Sequence, residues 1–324
     1  MADSSPSIAA DSPERRRVVW GYALTIAGSA FFATKGIFIK LAYGPESTAL
    51  AVDAITILAL RMAFSMPVYA AILAWAWRRQ VIFGRPRPSA RQTVTVIGLG
   101  LLGYYISSFT NFSGLQYITA QFERLILFTY PMFVMLLGAL FFGARVSIWG
   151  VVSLAVSYAG IVLVYFRGDI ALGENVMLGA GLVMTAAFCF ALYQLLAKRA
   201  LARVGGRLFT CIAMLSAGSG VLLHYAVQSL AGAAAYDLLA LPVRVYWLAA
   251  GIAFFATILP SFMLNAGLER LGAQTVAMIG TLSPIYTILM ATTLLGEPFA
   301  LVDAAGTVLV IAGVGLYTLK ARKA

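Results

Sequence analysis

The chain has 324 residues, of which 61% are hydrophobic and 11% are charged, and its mean hydropathy is +0.91. Soluble domains contain about 25% charged residues and about 45–50% apolar residues, so this composition excludes a water-covered globule. The formal net charge of +11 does not indicate a nucleic-acid partner, because the cations follow the pattern of a membrane topology signal.

Apolar stretches of about 20 residues recur along the whole chain, and each can cross a hydrocarbon core of about 30 Å. The stretches are continuous rather than alternating, which argues against a β-barrel. The sequence therefore predicts an all-α polytopic membrane protein with ten transmembrane helices. The predicted spans are 18–40, 52–76, 93–112, 118–141, 147–166, 175–197, 208–229, 245–267, 273–295 and 300–319.

The chain begins with a polar and then basic segment over 1–17. No short apolar region with a small-residue cleavage site precedes the first span, so we expect a cytoplasmic tail rather than a cleaved signal peptide. The loops between the spans are short and leave no room for a soluble catalytic domain.

Lysine and arginine predict the orientation. With the N-terminus inside, 17 of the 23 cations fall on the inner side of the membrane and three on the outer side. The remaining three, Lys35, Arg61 and Arg124, lie within spans. We therefore expect an integral protein of the cell (inner or plasma) membrane with both termini cytoplasmic.

The sequence repeats itself at an offset of 153 positions. The offset places Pro131 on Pro284 and Gly143 on Gly296, and these residue types have backbone reasons to recur. The predicted first repeat covers 18–166 and the second covers 175–320. Five spans is an odd number, so the second repeat must be inverted relative to the first. Inverted repeats with a site between them are typical of transporters.

At this point the residues resemble the EamA-like branch of the drug/metabolite transporter superfamily. The resemblance rests on the five-plus-five plan and on two matching segments, "GLQYITAQFERLILFTYP" with Pro131 and "GLERLGAQTVAMIGTLSP" with Pro284. Arg61 in "ALRMAFSMP" is similar to an arginine often found in the family's second span. The chain departs from the family where Gly143 is followed by Ala144 and not by Glu. The resemblance implies a transporter without a cofactor but does not identify the substrate.

The adjacent residues Glu123 and Arg124 lie about one and a half turns into the fourth span from the outside. An ionised side chain in hydrocarbon costs about 2.5–3.5 kcal/mol on insertion scales, so both must face the bundle interior, a wet cavity or a partner. Neighbours on a helix project about 100° apart, so we expect no simple pairing between the two. Each can instead pair across spans, for instance Glu123 with Lys35 or Arg61, or handle substrate or protons. These two interpretations do not exclude each other.

Other polar residues within the spans also need partners. Lys35 lies too far from either membrane face for snorkelling, which favours a paired or cavity-facing lysine. For Arg61 we favour a structural ion pair over ligand contact. A further set of polar and aromatic side chains suits either interhelical contacts or the lining of a cavity for a small polar metabolite. This set comprises Tyr105, Asn111, Tyr130, Tyr193, Gln274 and Ser283.

Pro131 and Pro284 occupy matched positions near the middle of the membrane, where each removes an amide donor. Such a proline gives a static kink, a hinge between moving parts, or both.

Several chemistries are disfavoured. The match of Gly98–Gly103 to G-x-G-x-x-G lies in an apolar span, which favours helix packing over nucleotide binding. His224 is the only histidine, and no cluster of residues has metal-ligand spacing. No ATP-binding loop of the G-x-x-x-x-G-K-[ST] type is present. We therefore predict no metal, no cofactor and no enzyme activity.

The leading hypothesis is a secondary transporter of a small organic, amino-acid-like metabolite, working as an exporter by alternating access. Glu123 is the candidate proton carrier, with protons as a coupling ion and the lipid bilayer as the surrounding partner. The alternatives are a membrane-embedded enzyme acting on lipid and a non-transporting sensor or assembly component. The sequence leaves the substrate, the direction of flux, the coupling ion and the oligomeric state open.

Overall fold

We describe the protein from a computed structural model, which covers residues 13–43, 52–82, 88–143, 148–166, 175–232, 236–280 and 282–316. Within these residues all regular secondary structure is helical. Two short π-helical turns, Leu101–Ile106 and Phe254–Ile258, interrupt longer helices. The α-helices are α1 Pro13–Tyr43, α2 Ala54–Ile82, α3 Ala90–Gly100, α4 Ser107–Gly114, α5 Ala120–Leu127, α6 Tyr130–Phe142, α7 Ile148–Tyr165, α8 Val176–Val204, α9 Gly206–Leu230, α10 Val243–Ala253, α11 Leu259–Gly280, α12 Ser283–Leu294 and α13 Leu301–Leu316.

In the part of the chain that the structure describes, ten helical stretches are apolar enough for membrane helices. Seven of them are long and apolar enough to cross a bilayer, and three more are shorter apolar helices, at Ile148–Val164, Ser283–Leu294 and Leu301–Gly313. The predicted fold class, an all-α membrane protein of ten helices in two repeats, is confirmed.

Irregularities of the backbone recur at the same offset of 153 positions that relates the two halves of the sequence. One π-helical turn begins at Leu101 and the other at Phe254. Helix α5 ends at Leu127 and α11 ends at Gly280, and the next helices begin at Tyr130 and Ser283. Each of these pairs differs by 153 residues, so the two halves share their breaks as well as their residue pattern.

Two glycines with left-handed backbone conformation are also related by the offset of 153 positions. Gly143 has φ of 63° and Gly296 has φ of 66°. A residue with a Cβ rarely adopts this conformation, which explains why glycine closes both helices at these points.

The packing of helices is symmetric under exchange of the repeats. In the first repeat α1 packs against α10 and α11 of the second, and in the second repeat α8 packs in the same way against α3 and α4 of the first. Two further pairs, α2 with α9 and α7 with α13, are each formed by equivalent helices.

Glycines set the closest helix contacts. A Cβ on Gly160 of α7 would lie 2.5 Å from the carbonyl oxygen of Gly306 on α13. The predicted packing role of the G-x-G-x-x-G match holds for Gly100 and Gly103, which abut Ala213 and Tyr193, but not for Gly98, which has open space around it.

Pro131 and Pro284 lie at the start of helices and not at kinks within them. Pro131 is the second residue of α6 and Pro284 is the second residue of α12, and in each case the preceding helix has already ended. An early position in a helix suits proline, because the amide it lacks would have no partner within the helix.

The predicted boundary between the eighth and ninth spans at 267–273 does not appear as a break, because α11 is continuous over Leu259–Gly280. The helix formers Leu, Glu, Arg, Ala and Gln dominate this part of the sequence, and no proline occurs between Pro260 and Pro284.

Candidate functional site

Four polar side chains from α1, α4 and α5 form a buried charged cluster. Lys35 Nζ donates a hydrogen bond to Asn111 Oδ1 at 2.7 Å, and Asn111 Nδ2 donates to Glu123 Oε1 at 2.6 Å. The ion-pair distances to Glu123 are 3.8 Å from Lys35 Nζ to Oε1 and 3.9 Å from Arg124 Nε to Oε2. We call Lys35, Asn111, Glu123 and Arg124 the charged cluster.

The local sequence explains how Glu123 reaches this position. The side chain of Thr119 accepts a hydrogen bond from the amide of Phe122 and starts α5, which places Glu123 in the first turn of the helix. Gly36 of α1 lies opposite it, and a Cβ there would make an ordinary contact with Glu123 Oε2 at 3.7 Å. A helix start therefore brings a carboxylate against the middle of α1.

The charged cluster is sealed from the surroundings. Glu123 is 0% exposed and Arg124 is 3% exposed. The cations of Lys35 and Arg124 lie 5.9 Å and 5.6 Å from the centre of the Phe32 ring, within cation–π range. Glu123 Oε2 and Arg124 Nε have no hydrogen-bond partner among the described residues. Two cations and one carboxylate leave a formal charge of +1, so the charged cluster is not fully neutralised.

The ion pairs settle two sequence-based expectations. The predicted pairing of Glu123 with Lys35 across spans is confirmed. The expectation that Glu123 and Arg124 do not pair was wrong, because the long arginine side chain bends back to 3.9 Å from the carboxylate. Arg124 also donates a 3.5 Å hydrogen bond to the Ala33 carbonyl, which holds it in this orientation.

Arg61 lies apart from the charged cluster, and it is 6% exposed. Its Nε donates a 3.0 Å hydrogen bond to Thr257 Oγ1, and its guanidinium lies 5.5 Å from the centre of the Phe112 ring. Within the described part of the chain Arg61 forms no ion pair. The prediction of a structural ion pair for Arg61 was therefore wrong. Glu123 forms ion pairs with Lys35 and Arg124, and Arg61 donates a hydrogen bond to the hydroxyl of Thr257 instead.

The other predicted cavity residues do not converge on the charged cluster. Tyr105 shares a 3.0 Å hydrogen bond with His224 Nδ1. Tyr193 donates to the Tyr104 hydroxyl at 3.1 Å. The remaining two whose side chains are described lie elsewhere as well: Tyr130 contacts Gln194 and the Phe190 ring, and the buried Ser283 hydroxyl has no hydrogen-bond partner among the described residues. The side chains of Gln274 and Pro131 lie outside what the structure describes.

The structure adds Glu297, which the sequence analysis did not select. Its Oε1 accepts a 2.8 Å hydrogen bond from the amide of Ala120, and its Oε2 accepts one of 3.3 Å from the amide of Gln121. A carboxylate of the second repeat therefore caps the first turn of α5, the helix that carries Glu123. The sequence does contain a signal for this role. Glu297 follows Gly296, whereas the equivalent residue in the first repeat, after Gly143, is Ala144.

Burial governs the ionisation of Glu297, which lies in the loop between α12 and α13. Burial raises the pKa of Glu297, while the hydrogen bonds from Ala120 and Gln121 and the charge of Lys40 act in the opposite direction. The residue therefore holds its proton to a higher pH than an exposed glutamate does.

The charged residues break the symmetry of the repeats. An offset of 153 carries Lys35 onto Phe188, Asn111 onto Leu264, Glu123 onto Val276 and Arg124 onto Ala277. Each member of the charged cluster thus has an apolar counterpart. The same offset carries Arg61 onto Met214.

A separate cavity of about 550 Å³ opens between α3 and α8. It shares no described lining residue with the charged cluster. Its lining residues are Ser89, Arg91, Gln92, Thr95, Leu196, Arg199, Ala200 and Arg203. In the described residues no group of three histidine, cysteine or acidic side chains could hold a metal ion.

Comparison with known proteins gives a consistent result. A family model described as the EamA-like transporter family matches residues 19–166 and again 177–319. "Uncharacterized transporter YcbK" of Bacillus subtilis (strain 168) is 28% identical over 316 residues, covering 95% of this chain and 96% of that protein. "Uncharacterized transporter YyaM" of the same organism is 26% identical over 226 residues, covering 69% and 72%.

One solved crystal structure resembles the whole fold. It superposes with a TM-score of 0.59 at 18% identity and covers 95% of this chain and 98% of its own. At this identity the likeness concerns the fold alone.

Proposed function

Because the chain belongs to the EamA-like transporter family, and so is an integral membrane transporter, we propose that it exports a small organic, amino-acid-like metabolite as a secondary transporter. The two inverted repeats, 18–166 and 175–320, rock against each other and expose a shared site to one side of the membrane at a time. The protein lies in the inner or plasma membrane with both termini in the cytoplasm, as the distribution of lysine and arginine favours.

The observation that carries the proposal is the charged cluster, a buried group of polar and ionisable side chains laid onto one half of a symmetric apolar scaffold. Ionisable residues inside membrane proteins are costly and typically mark pathways for substrates, ions or protons. A packing role alone would be served by the apolar residues found at the equivalent positions of the second repeat.

Glu123 is the proposed proton carrier. When it is ionised it holds Lys35 and Arg124 together, at 3.8 Å and 3.9 Å. Protonation removes the charge that attracts both cations and weakens the contacts between α1 and α5. A proton is thereby coupled to the packing of α1 against α5 within the first repeat.

The breaks before Pro131 and Pro284 are the proposed hinges. Each lies between two helical segments at equivalent positions in the repeats. A helix that is already interrupted can change direction there without losing further backbone hydrogen bonds.

The proposal is tested by a metabolite screen of the culture medium. Cells that overproduce the protein are compared with cells that lack it, and with cells that overproduce Glu123→Gln at the same membrane level. We expect at least one small organic metabolite to accumulate outside the overproducing cells and not outside the other two. Equal profiles in all three strains would contradict export.

A further inference from the structure

We propose that the guanidinium of Arg61 binds a carboxylate group of the transported substrate. The inference rests on the proposed transport function and deepens it by naming the substrate class, a small organic metabolite that carries a single carboxylate. It assigns separate tasks to the buried cations: Lys35 and Arg124 serve the proton carrier, and Arg61 serves the substrate.

The first argument concerns the position of Arg61 relative to the two π-helical turns. Tyr104 lies in the first turn and Thr257 in the second, and they occupy equivalent positions at the offset of 153. Arg61 donates to Thr257 at 3.0 Å and lies close enough to Tyr104 for an electrostatic interaction. Arg61 therefore contacts the second repeat at Thr257 and lies near the equivalent position of the first repeat, and an inverted-repeat transporter places its site between the repeats.

π-Helical turns are themselves frequent at functional sites, because they disturb the regular hydrogen bonding of a helix. Here Thr257 Oγ1 donates to the carbonyl of Ile252, five residues earlier, at 3.0 Å. The same oxygen accepts from Arg61 Nε, so the turn fixes one edge of the guanidinium. A second guanidinium nitrogen, Nη1, has no hydrogen-bond partner among the described residues.

The second argument concerns charge. Arg61 Nη1 is buried and has no hydrogen-bond partner among the described residues, and no described carboxylate pairs with Arg61. Lys35 and Arg124, in contrast, both lie within 4 Å of Glu123. A buried guanidinium without a counter-ion is strongly disfavoured in an apolar interior. An arginine kept there under these conditions fits a counter-ion supplied by a ligand.

The third argument concerns which anion fits. One guanidinium supplies one positive charge and a planar fork of donors, which match a carboxylate. A doubly charged phosphate requires a second cation, and the buried Lys35 is already bound to Asn111. The Tyr104 hydroxyl accepts from Tyr193 and keeps its own proton for donation to the ligand.

The test measures anion binding by the purified full-length protein in detergent. Acetate, lactate and phenylacetate are titrated at constant ionic strength, each against its own amide, and thermal unfolding is followed. At least one acid should raise the unfolding midpoint in a saturable manner while its amide does not. Arg61→Gln should weaken the apparent affinity about tenfold or more, and Arg61→Lys should weaken it less.

Arg79→Gln is the matched control, because Arg79 stacks on Trp75 at 4.5 Å, away from Arg61. It should bind the acid as the wild type does. Arg61→Met tests whether Arg61 has a purely structural role. If Arg61 serves the ligand, the Arg61→Met variant without ligand should unfold at the same temperature as the wild type or at a higher one. A lower midpoint for Arg61→Met, together with equal shifts from acid and amide, would overturn the proposal, and so would the lack of a shift with any acid.

The two proposals fail in different ways. Export without carboxylate binding would leave the transport function standing and remove the role of Arg61. Carboxylate binding that depends on Arg61, in a protein whose overproduction changes no metabolite outside the cell, would remove the export function and keep the anion site.

Discussion

Glu123 holds the charged cluster together at the level of single residues. It accepts a 2.6 Å hydrogen bond from Asn111 and is the only described carboxylate in an ion pair with Lys35 or Arg124. A buried charge pair contributes little when compared with a matched apolar pair, but removing one partner leaves the other charge buried alone. The stability of this region should therefore depend on Glu123 more than on either cation.

Glu123→Gln should destabilise the protein by about 3–5 kcal/mol, because it leaves two buried cations without a counter-ion. The measurement is thermal unfolding of the purified protein in detergent. Adding Lys35→Met to Glu123→Gln should recover part of the loss, since one of the unpaired cations is then removed. Unfolding midpoints that are equal for the wild type and Glu123→Gln would contradict the assignment.

At the level of helices, the short α5 links the repeats. It carries Glu123 and Arg124 in the first repeat, and Glu297 of the second repeat caps its first turn. Its end at Leu127 coincides with the break that precedes Pro131. A change in the cap or in the break thus acts directly on the charged cluster.

Glu297→Ala should loosen the start of α5, at a cost of about 0.5–2 kcal/mol for a lost helix cap. Hydrogen exchange at the amides of Ala120 and Gln121 should accelerate, because they lose their acceptor. Asp303→Ala is the control: Asp303 caps α13 through the amide of Ala300, so its loss should leave exchange in α5 unchanged. Unchanged exchange in Glu297→Ala would refute the capping role.

Glu297 should also make the stability of the protein depend on pH. Burial raises the pKa of Glu297, so the folded state holds this proton more tightly than the unfolded state does. The stability gained is complete below the ordinary pKa of 4.5 and is lost as the pH rises through the raised value. Over that window the unfolding midpoint of the wild type should fall relative to that of Glu297→Gln. A difference that stays constant with pH would contradict the raised pKa.

The breaks in the fourth and ninth spans give a prediction about rate. Pro284→Ala and Pro131→Ala should each let the helix extend across its break and slow transport by roughly tenfold, or about 1.4 kcal/mol in the barrier. Binding of the substrate in detergent should be retained, since the site is unaltered. Turnover equal to that of the wild type in the double variant would argue against hinges.

The helices also show what could be read from the sequence. Proline and glycine have local backbone effects, so the offset of 153 marked both positions where a helix break is found and both glycines that adopt the left-handed conformation, although the sequence predicted kinks or hinges and not breaks. The hydrogen-bond partners of the buried polar residues were harder to predict from the sequence. Thr257 meets Arg61 across 196 positions, and Glu297 meets Ala120 across 177. These contacts depend on how distant helices pack, which hydrophobic periodicity does not encode.

For the whole molecule, symmetric packing of the repeats is the central feature. The outer pair α7 and α13 meets through Gly160 and Gly306, where no side chain fits. Gly160→Leu should therefore destabilise the protein by about 1–3 kcal/mol through overpacking. Gly98→Leu is the control, because a Cβ there meets no atom within 4 Å, and its unfolding midpoint should match that of the wild type. Equal losses in both variants would show that the glycine contact is unimportant.

Transport in reconstituted vesicles tests the central claim most directly. Proteoliposomes containing the wild type, loaded with the metabolite found in the screen and given a pH gradient, should show flux that collapses when a protonophore dissipates the gradient. Glu123→Gln should show residual flux that no longer responds to the gradient. Normal transport by Glu123→Gln with the same pH dependence as the wild type would contradict the role of Glu123 and of the charged cluster.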